Sequence, residues 1–268
     1  MTNALTRAKR YPFARPEYSF VFAAGRTLEI VEAGSDPLVD GRLRLDGRVV
    51  PVAEALAELG VADPLPGGER TAVLGYGSNA APEQLARKFH DRLGETAIPV
   101  LRARLADYDV VYSAHFAHYG SIAATLAVSP GTTVDLSVLY LDPAELECIH
   151  ETELFNYHFG ALSDARLSVR DATVPPPLPA VYLSRHGGVA QDGGPLALAE
   201  VATEARRFPA LGQEGVLEFA RDRLAPGQAL DNFLAAAIED RASRERFTEA
   251  LHRDAVPLPH PEFDLQIP

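Results

Sequence analysis

With 268 residues and 47% hydrophobic content, the chain can form one large domain, or a core with additions, and can bury a sizeable interior. Its 25 Lys and Arg against 37 Asp and Glu give a formal charge of -12, which argues against nucleic acid or an anionic membrane as the main partner. The single Cys148 allows no internal disulfide and no cysteine metal cluster, and no apolar run approaches a membrane span, so a soluble, cytoplasmic protein is expected.

Residues 1–70 read as an N-terminal extension. Met1 to Arg10 is polar and basic, with no apolar signal-peptide core behind it. Arg42 to Val50 alternates charged and apolar residues around Asp46-Gly47, which predicts a β-hairpin, and a short helix is expected from Val52 to Leu59. Pro64, Pro66, Gly67 and Gly68 predict a linker before Glu69-Arg70.

The apolar run Ala72 to Leu74 stops at Gly75-Tyr76-Gly77, turns through Ser78-Asn79, and enters a helical period headed by Pro82. A strand, a tight turn and a helix start present backbone N–H groups suited to a carboxylate or a developing oxyanion. Leu85, Phe89 and Leu93 give the helix its apolar face and carry it towards Gly94. Strands are expected at Val100 to Leu105, Val110 to His115, Ile122 to Val128 and Val134 to Leu141, with breaks at Gly120 and Pro130-Gly131.

Asp142 then supplies an N-cap, Pro143 the first helical position and Glu145 a capping box, with Leu141 and Leu146 as a hydrophobic staple. Counting 100° per residue from this start, Glu153 lies on the face of Leu146 and Ile149, whereas Glu151 points away. Glu151 becomes the candidate only if the register is wrong. Pro175 to Pro177 with Pro179 form a stiff spacer. From residue 186 a helical C-terminal segment is expected: Leu198, Val201, Ala202, Ala205 and Phe208 share a helical face, amphipathic stretches run from Val216 to Leu224 and from Leu230 to Leu251, and Val256 to Pro268 is an extended tail.

Gly75-x-Gly77-x-x-Ala80 is a weak dinucleotide fingerprint without the βαβ alternation that would support it, no phosphate-loop lysine follows, and Ser78 is not in a Gly-x-Ser-x-Gly elbow. His115 and His118 fall on opposite faces of a strand, which argues against a shared metal, and Cys148 reads as a small packed residue.

Tyr76-Gly77-Ser78-Asn79 after a strand, the later strand pattern Gly131-x-x-Val134 to Tyr140, and Ile149-His150-Glu151-Thr152-Glu153 followed by Tyr157 resemble the gamma-glutamylcyclotransferase-like superfamily. That family has Tyr-Gly-Ser-Asn-Leu and then approximately Leu-Asp-x-x-Glu-Gly. Here Ala80 stands for the leucine, Leu154 for the last glycine, and Ile149-His150 for Leu-Asp. The resemblance covers residues 71–185 and implies an α+β fold, a small mixed, mainly antiparallel barrel-like sheet with helices. It implies that Gly77, Ser78 and Asn79 grip a γ-glutamyl group, that Tyr76 and Tyr157 wall the pocket, with Tyr112 a weaker candidate, and that Glu153 moves protons. The expected reaction is cyclisation to 5-oxoproline with release of an amine, needing no cofactor and no metal. The alternatives are a noncatalytic metabolite-binding or scaffold protein, and acyl hydrolysis through an unrecognised nucleophile such as Ser78 or Cys148.

Overall fold

A computed structural model describes residues 2–61, 70–163, 165–170 and 178–266. The chain begins with helix α1 (Thr2–Lys9), strands β1 (Phe20–Ala23), β2 (Arg26–Glu32), β3 (Arg42–Leu45) and β4 (Arg48–Pro51), and helix α2 (Val52–Glu58). Strand β5 (Thr71–Gly75) leads through a 3-10 turn (Ser78–Ala80) into α3 (Pro82–Lys88). Two long strands, β6 (Ala97–Phe116) and β7 (Ile122–Leu141), precede α4 (Pro143–Glu153), β8 (Tyr157–Leu162), β9 (Leu167–Val169) and β10 (Ala180–Ser184). Helices α5 (Gln213–Leu224), α6 (Leu230–Glu239) and α7 (Arg241–Arg253) follow, and a short strand, Phe263–Leu265, comes near the end.

The fold is α+β with a mainly antiparallel sheet. From the strand Phe263–Leu265 the order runs β8, β10, β5, β7, β6, β1, β2, β3, β4, and along this path only β10 and β5 are parallel. The sheet has two packed faces. Leu85 and Phe89 of the α3 region and Ile149 of α4 bury against Phe20, Phe22 and Val73, while Leu217, Phe233 and Phe247 of α5 to α7 bury with Tyr112 and Phe116. Residues 20–51 continue this sheet: β1 pairs with β6 from Phe20 opposite Val100 to Ala23 opposite Ala97. The β3–β4 hairpin turns at Asp46 and Gly47, both with positive φ (47° and 81°), as a two-residue hairpin of this hand demands.

Several local expectations are corrected. The four strands expected between Val100 and Leu141 are two, because Pro130-Gly131 lies inside β7 as an irregularity and does not end it. Between the pairs Ala106–Thr133 and Tyr108–Val128, Asp107 alone faces Ser129 to Thr132, and its carboxylate accepts the Gly131 N–H at 2.7 Å. The bulge absorbs the extra residues and leaves the ladder intact on both sides. Helix α3 stops at Lys88, so Phe89 caps it and Leu93 reaches the core from a turn.

The helix expected from Leu196 is absent. Ala197–Leu198 pairs with Val111 of β6 and with Ala210–Leu211, and Thr203–Glu204 pairs with β7. Leu198 and Val201 are buried there by strand pairing under α5, an apolar pattern that a helical period also fits. The stretch from Leu230 to Leu251 is divided at Asp240, whose carboxylate caps α7 by accepting the N–H groups of Ala242 (3.2 Å) and Ser243 (3.0 Å). The tail is extended in part, and Phe263–Leu265 adds to the edge of β8. The Pro64 to Glu69 linker and the Pro175 to Pro177 spacer lie outside the described residues. Among the described residues, no helix is long and apolar enough to cross a membrane.

Candidate functional site

Strand β5 sets the site by delivering Tyr76 to Asn79 at its C-terminal end. The two glycines there sit at close approaches, the second against a tyrosine hydroxyl that is itself hydrogen-bonded. A Cβ on Gly75 would lie 2.4 Å from Leu139 Cδ1, and one on Gly77 would lie 2.5 Å from the hydroxyl of Tyr11. Tyr11 follows α1, and its hydroxyl also accepts the Ala124 N–H at 2.8 Å, so the N-terminal segment is fastened across the turn.

Helix α4 supplies the opposite wall. Its start is fixed by the expected capping box: Asp142 accepts the Glu145 N–H at 2.8 Å and Glu145 accepts the Asp142 N–H at 2.9 Å. Glu145 also takes Arg70 at 2.9 Å and the Ala97 N–H at 3.2 Å, which ties the helix start to β6. With its origin held, the last helical residue, Glu153, reaches the Ser78-Asn79 turn: its Oε1 accepts Asn79 Nδ2 at 3.2 Å and Lys88 Nζ at 2.6 Å. Lys88 Nζ also donates to Thr152 Oγ1 at 2.5 Å. The ion pair is largely withdrawn from water, with 4% of the Lys88 side chain and 16% of the Glu153 side chain exposed. Glu151 is exposed and outside the cavity.

Tyr76, Gly77, Ser78, Asn79, Glu153 and Tyr157 line one cavity of about 590 Å³. Tyr76 is buried and donates to the Tyr182 carbonyl, and Tyr157 donates to the Ala124 carbonyl at 2.9 Å. Tyr112 is elsewhere in the core, bonded to the Leu211 carbonyl at 3.0 Å. Burial raises the phenols of Tyr11, Tyr76 and Tyr157 above their ordinary range, with the Glu153 charge adding to it, and pushes Tyr119 up to about 12. These rings stay protonated at neutral pH. With its amide nitrogen engaged by Glu153, Asn79 keeps a buried Oδ1 that has no hydrogen-bond partner, an acceptor open to an N–H from a ligand.

His115, also in the cavity wall, is the end of a directed chain of hydrogen bonds. The backbone N–H of His186 donates to Ser184 Oγ at 2.9 Å, Ser184 Oγ lies 2.6 Å from Ser113 Oγ, and Ser113 Oγ lies 2.6 Å from His115 Nδ1. The arrangement that uses every hydroxyl hydrogen runs in that direction and makes Nδ1 an acceptor, which leaves the ring proton on Nε2. Burial, with the neighbouring His186 adding, holds the His115 ring down to about 3. The cavity thus has a neutral imidazole in its wall. The expected split of His115 and His118 between strand faces is replaced by a turn: β6 ends at Phe116, and both rings line the cavity.

Arg7, Tyr11, Lys88 and Tyr119 belong to the cavity and carry no motif, and His115, weighed in the sequence only as a metal ligand, belongs to it too. Lys88 carried a usable signal, since Gln84 and Lys88 are four apart on the polar side of α3 and both face the cavity. Cys148 is outside it, with its thiol donating to the Lys88 carbonyl at 3.3 Å. Among the described residues, no group of three or more His, Cys, Asp or Glu side chains is placed to hold a metal ion.

No family model matches the chain, and no curated protein matches it. Among solved structures, one titled "Gamma-glutamyl cyclotransferase" is similar at 18% identity and a TM-score of 0.35, over 43% of this chain and 67% of that one. An uncharacterized protein from Homo sapiens is similar at 18% identity and a TM-score of 0.34, over the same shares of the two chains.

Proposed function

We propose that the cavity binds a γ-glutamyl amine or peptide and cyclises it to 5-oxoproline, releasing the amine. The observation that carries this reading is the meeting of Asn79 and Glu153, 74 residues apart, in one hydrogen bond on the wall of the cavity. The motif turn and the downstream glutamate that resemble the family's signature are thereby one constellation in space.

The chemistry follows from those groups. Glu153 takes a proton from the substrate α-ammonium, and the freed amine attacks the γ-carbonyl carbon. A new N–C bond closes the five-membered ring while the carbonyl electrons move onto oxygen. When the carbonyl re-forms, the old C–N bond breaks and Glu153 returns the proton to the departing nitrogen. The ring nitrogen then loses its second proton to the same carboxylate, which passes it to the freed amine and leaves the lactam N–H and a released ammonium. No water or redox partner is consumed. Holding the substrate folded supplies much of the acceleration, because the step is intramolecular. Asn79 Oδ1 is an acceptor for the α-ammonium, and the backbone of Gly77 to Asn79 supports the carbonyl oxygen as it gains charge. Lys88 competes with the α-ammonium for Glu153 and must yield it, or turn to the substrate carboxylate, during binding.

The noncatalytic reading is favoured by the same ion pair, since at 2.6 Å Lys88 already occupies the carboxylate that the reaction needs. Incubating the purified protein with a panel of γ-glutamyl amines and peptides, and reading both 5-oxoproline by mass spectrometry and affinity by calorimetry, separates the two. The enzyme reading predicts product from at least one compound. Binding without product supports the metabolite-binding protein, and neither binding nor product removes γ-glutamyl compounds as ligands.

A further inference from the structure

A second cavity, of about 480 Å³, lies across the N-terminal segment from the first, and Tyr11 is in the wall of both. Its cations are Lys9, Arg10, Arg15 and Arg102. Two are committed on the protein surface: Lys9 to Asp231 (2.9 Å) and Glu214 (3.3 Å), and Arg10 to Glu83 (3.1 Å). The other two are not satisfied. Arg15 makes no ion pair among the described residues, and its Nη1 is buried without a hydrogen-bond partner. Arg102 touches Asp135 only at 3.5 Å, and its Nε is likewise buried and unpartnered.

The acids in the wall do not answer this. Asp135 is shared with Arg104 at 3.3 Å, Glu200 accepts the Gln213 N–H at 2.7 Å, and Glu17 is exposed. Two guanidinium groups are therefore close enough to repel, with N–H donors turned away from water, in a chain whose formal charge is -12. Burial, with Arg102 adding, holds Arg15 down to about 10, so it is still a cation at neutral pH. A buried donor without a partner is costly, and more so when charged, unless a ligand completes it.

We propose that this cavity is a second binding site, for an oxyanion group, in which Arg15 and Arg102 together grip a carboxylate or a phosphoryl group. Planar guanidinium forks match both geometries and bind them bidentately. Tyr11, in the wall of both, places such a ligand beside the N-terminal segment that lines the first cavity.

The test titrates the full chain with inorganic phosphate and, separately, with succinate, following calorimetry and the guanidinium N–H resonances of Arg15 and Arg102. Saturable binding is expected for one or both, with those resonances moving, and the tighter anion identifies the source. Arg15→Gln and Arg102→Gln are each expected to weaken it by at least about tenfold, and Arg15→Lys by less, because it keeps the charge but loses the fork. Since Arg15 has no ion pair to lose, Arg15→Gln should fold. Absence of saturable binding of either anion to the wild-type protein, or binding that Arg15→Gln leaves intact, overturns the proposal.

Discussion

The two cavities walled by Tyr11 differ in who answers their charges. In the first, Lys88 and Glu153 are each other's counter-ion at 2.6 Å, and Asn79 adds a hydrogen bond. In the second, Arg15 has no ion pair among the described residues, Arg102 has only Asp135 at 3.5 Å, and each keeps a buried donor without a partner. A charge already paired within the protein must be released when a ligand arrives, which suits a group that exchanges protons. A charge left unpaired is free energy held for a ligand, which suits binding without chemistry.

The contrast can be broken at several points. The largest effect on stability is expected from Lys88→Met, which strands the Glu153 carboxylate in a site with little water. Breaking such a pair costs several kcal/mol when fully buried, and allowing for the partial exposure of Glu153 we expect about 3 kcal/mol in urea unfolding. Stability equal to wild type would mean that the pair is not what satisfies the first cavity. Gly77→Ala should follow at about 1–3 kcal/mol, since its Cβ would press on Tyr11 and loosen the segment between the cavities. Ligand affinities should fall with it.

A smaller effect, confined to acid, is expected from His115. Its folded ring is held down to about 3, whereas the unfolded chain takes up the proton near the ordinary value of 6.5. Between those values the unfolded state binds more protons, so this ring makes stability fall as pH drops below 6.5 and adds no slope above it. The loss is about 2 kcal/mol at pH 5 and a few tenths or less at pH 7. Unfolding titrations of His115→Gln should lack this part of the acid slope. A variant with the wild-type slope would place the titrating group elsewhere.

What could be read from the sequence was local. Asp142, Pro143 and Glu145 fix the start of α4 through contacts within one turn, and from that origin helical geometry alone turns Glu153 inwards and Glu151 out. Tyr11 was hidden because its partner, Ala124, lies 113 residues away and no local pattern announces the contact. The segment from Leu196 misled for the opposite reason. Its apolar residues fit a helical period, but their burial comes from bridges to β6 and β7, which only the tertiary fold supplies. The unpartnered arginines have no sequence signal, because a missing partner is a property of the assembled wall.

In the proposed reaction Glu153 carries the proton in the cavity it shares with Ser78 and Asn79. The decisive measurement compares wild type with Glu153→Gln in 5-oxoproline formation from the best γ-glutamyl substrate. The substitution keeps the side chain's size and removes its basicity. We predict a rate about 10²–10⁴ lower in a protein that still folds, with a loss of stability comparable to that of Lys88→Met because Lys88 loses its partner. Turnover at the wild-type rate would remove Glu153 from the proton transfer.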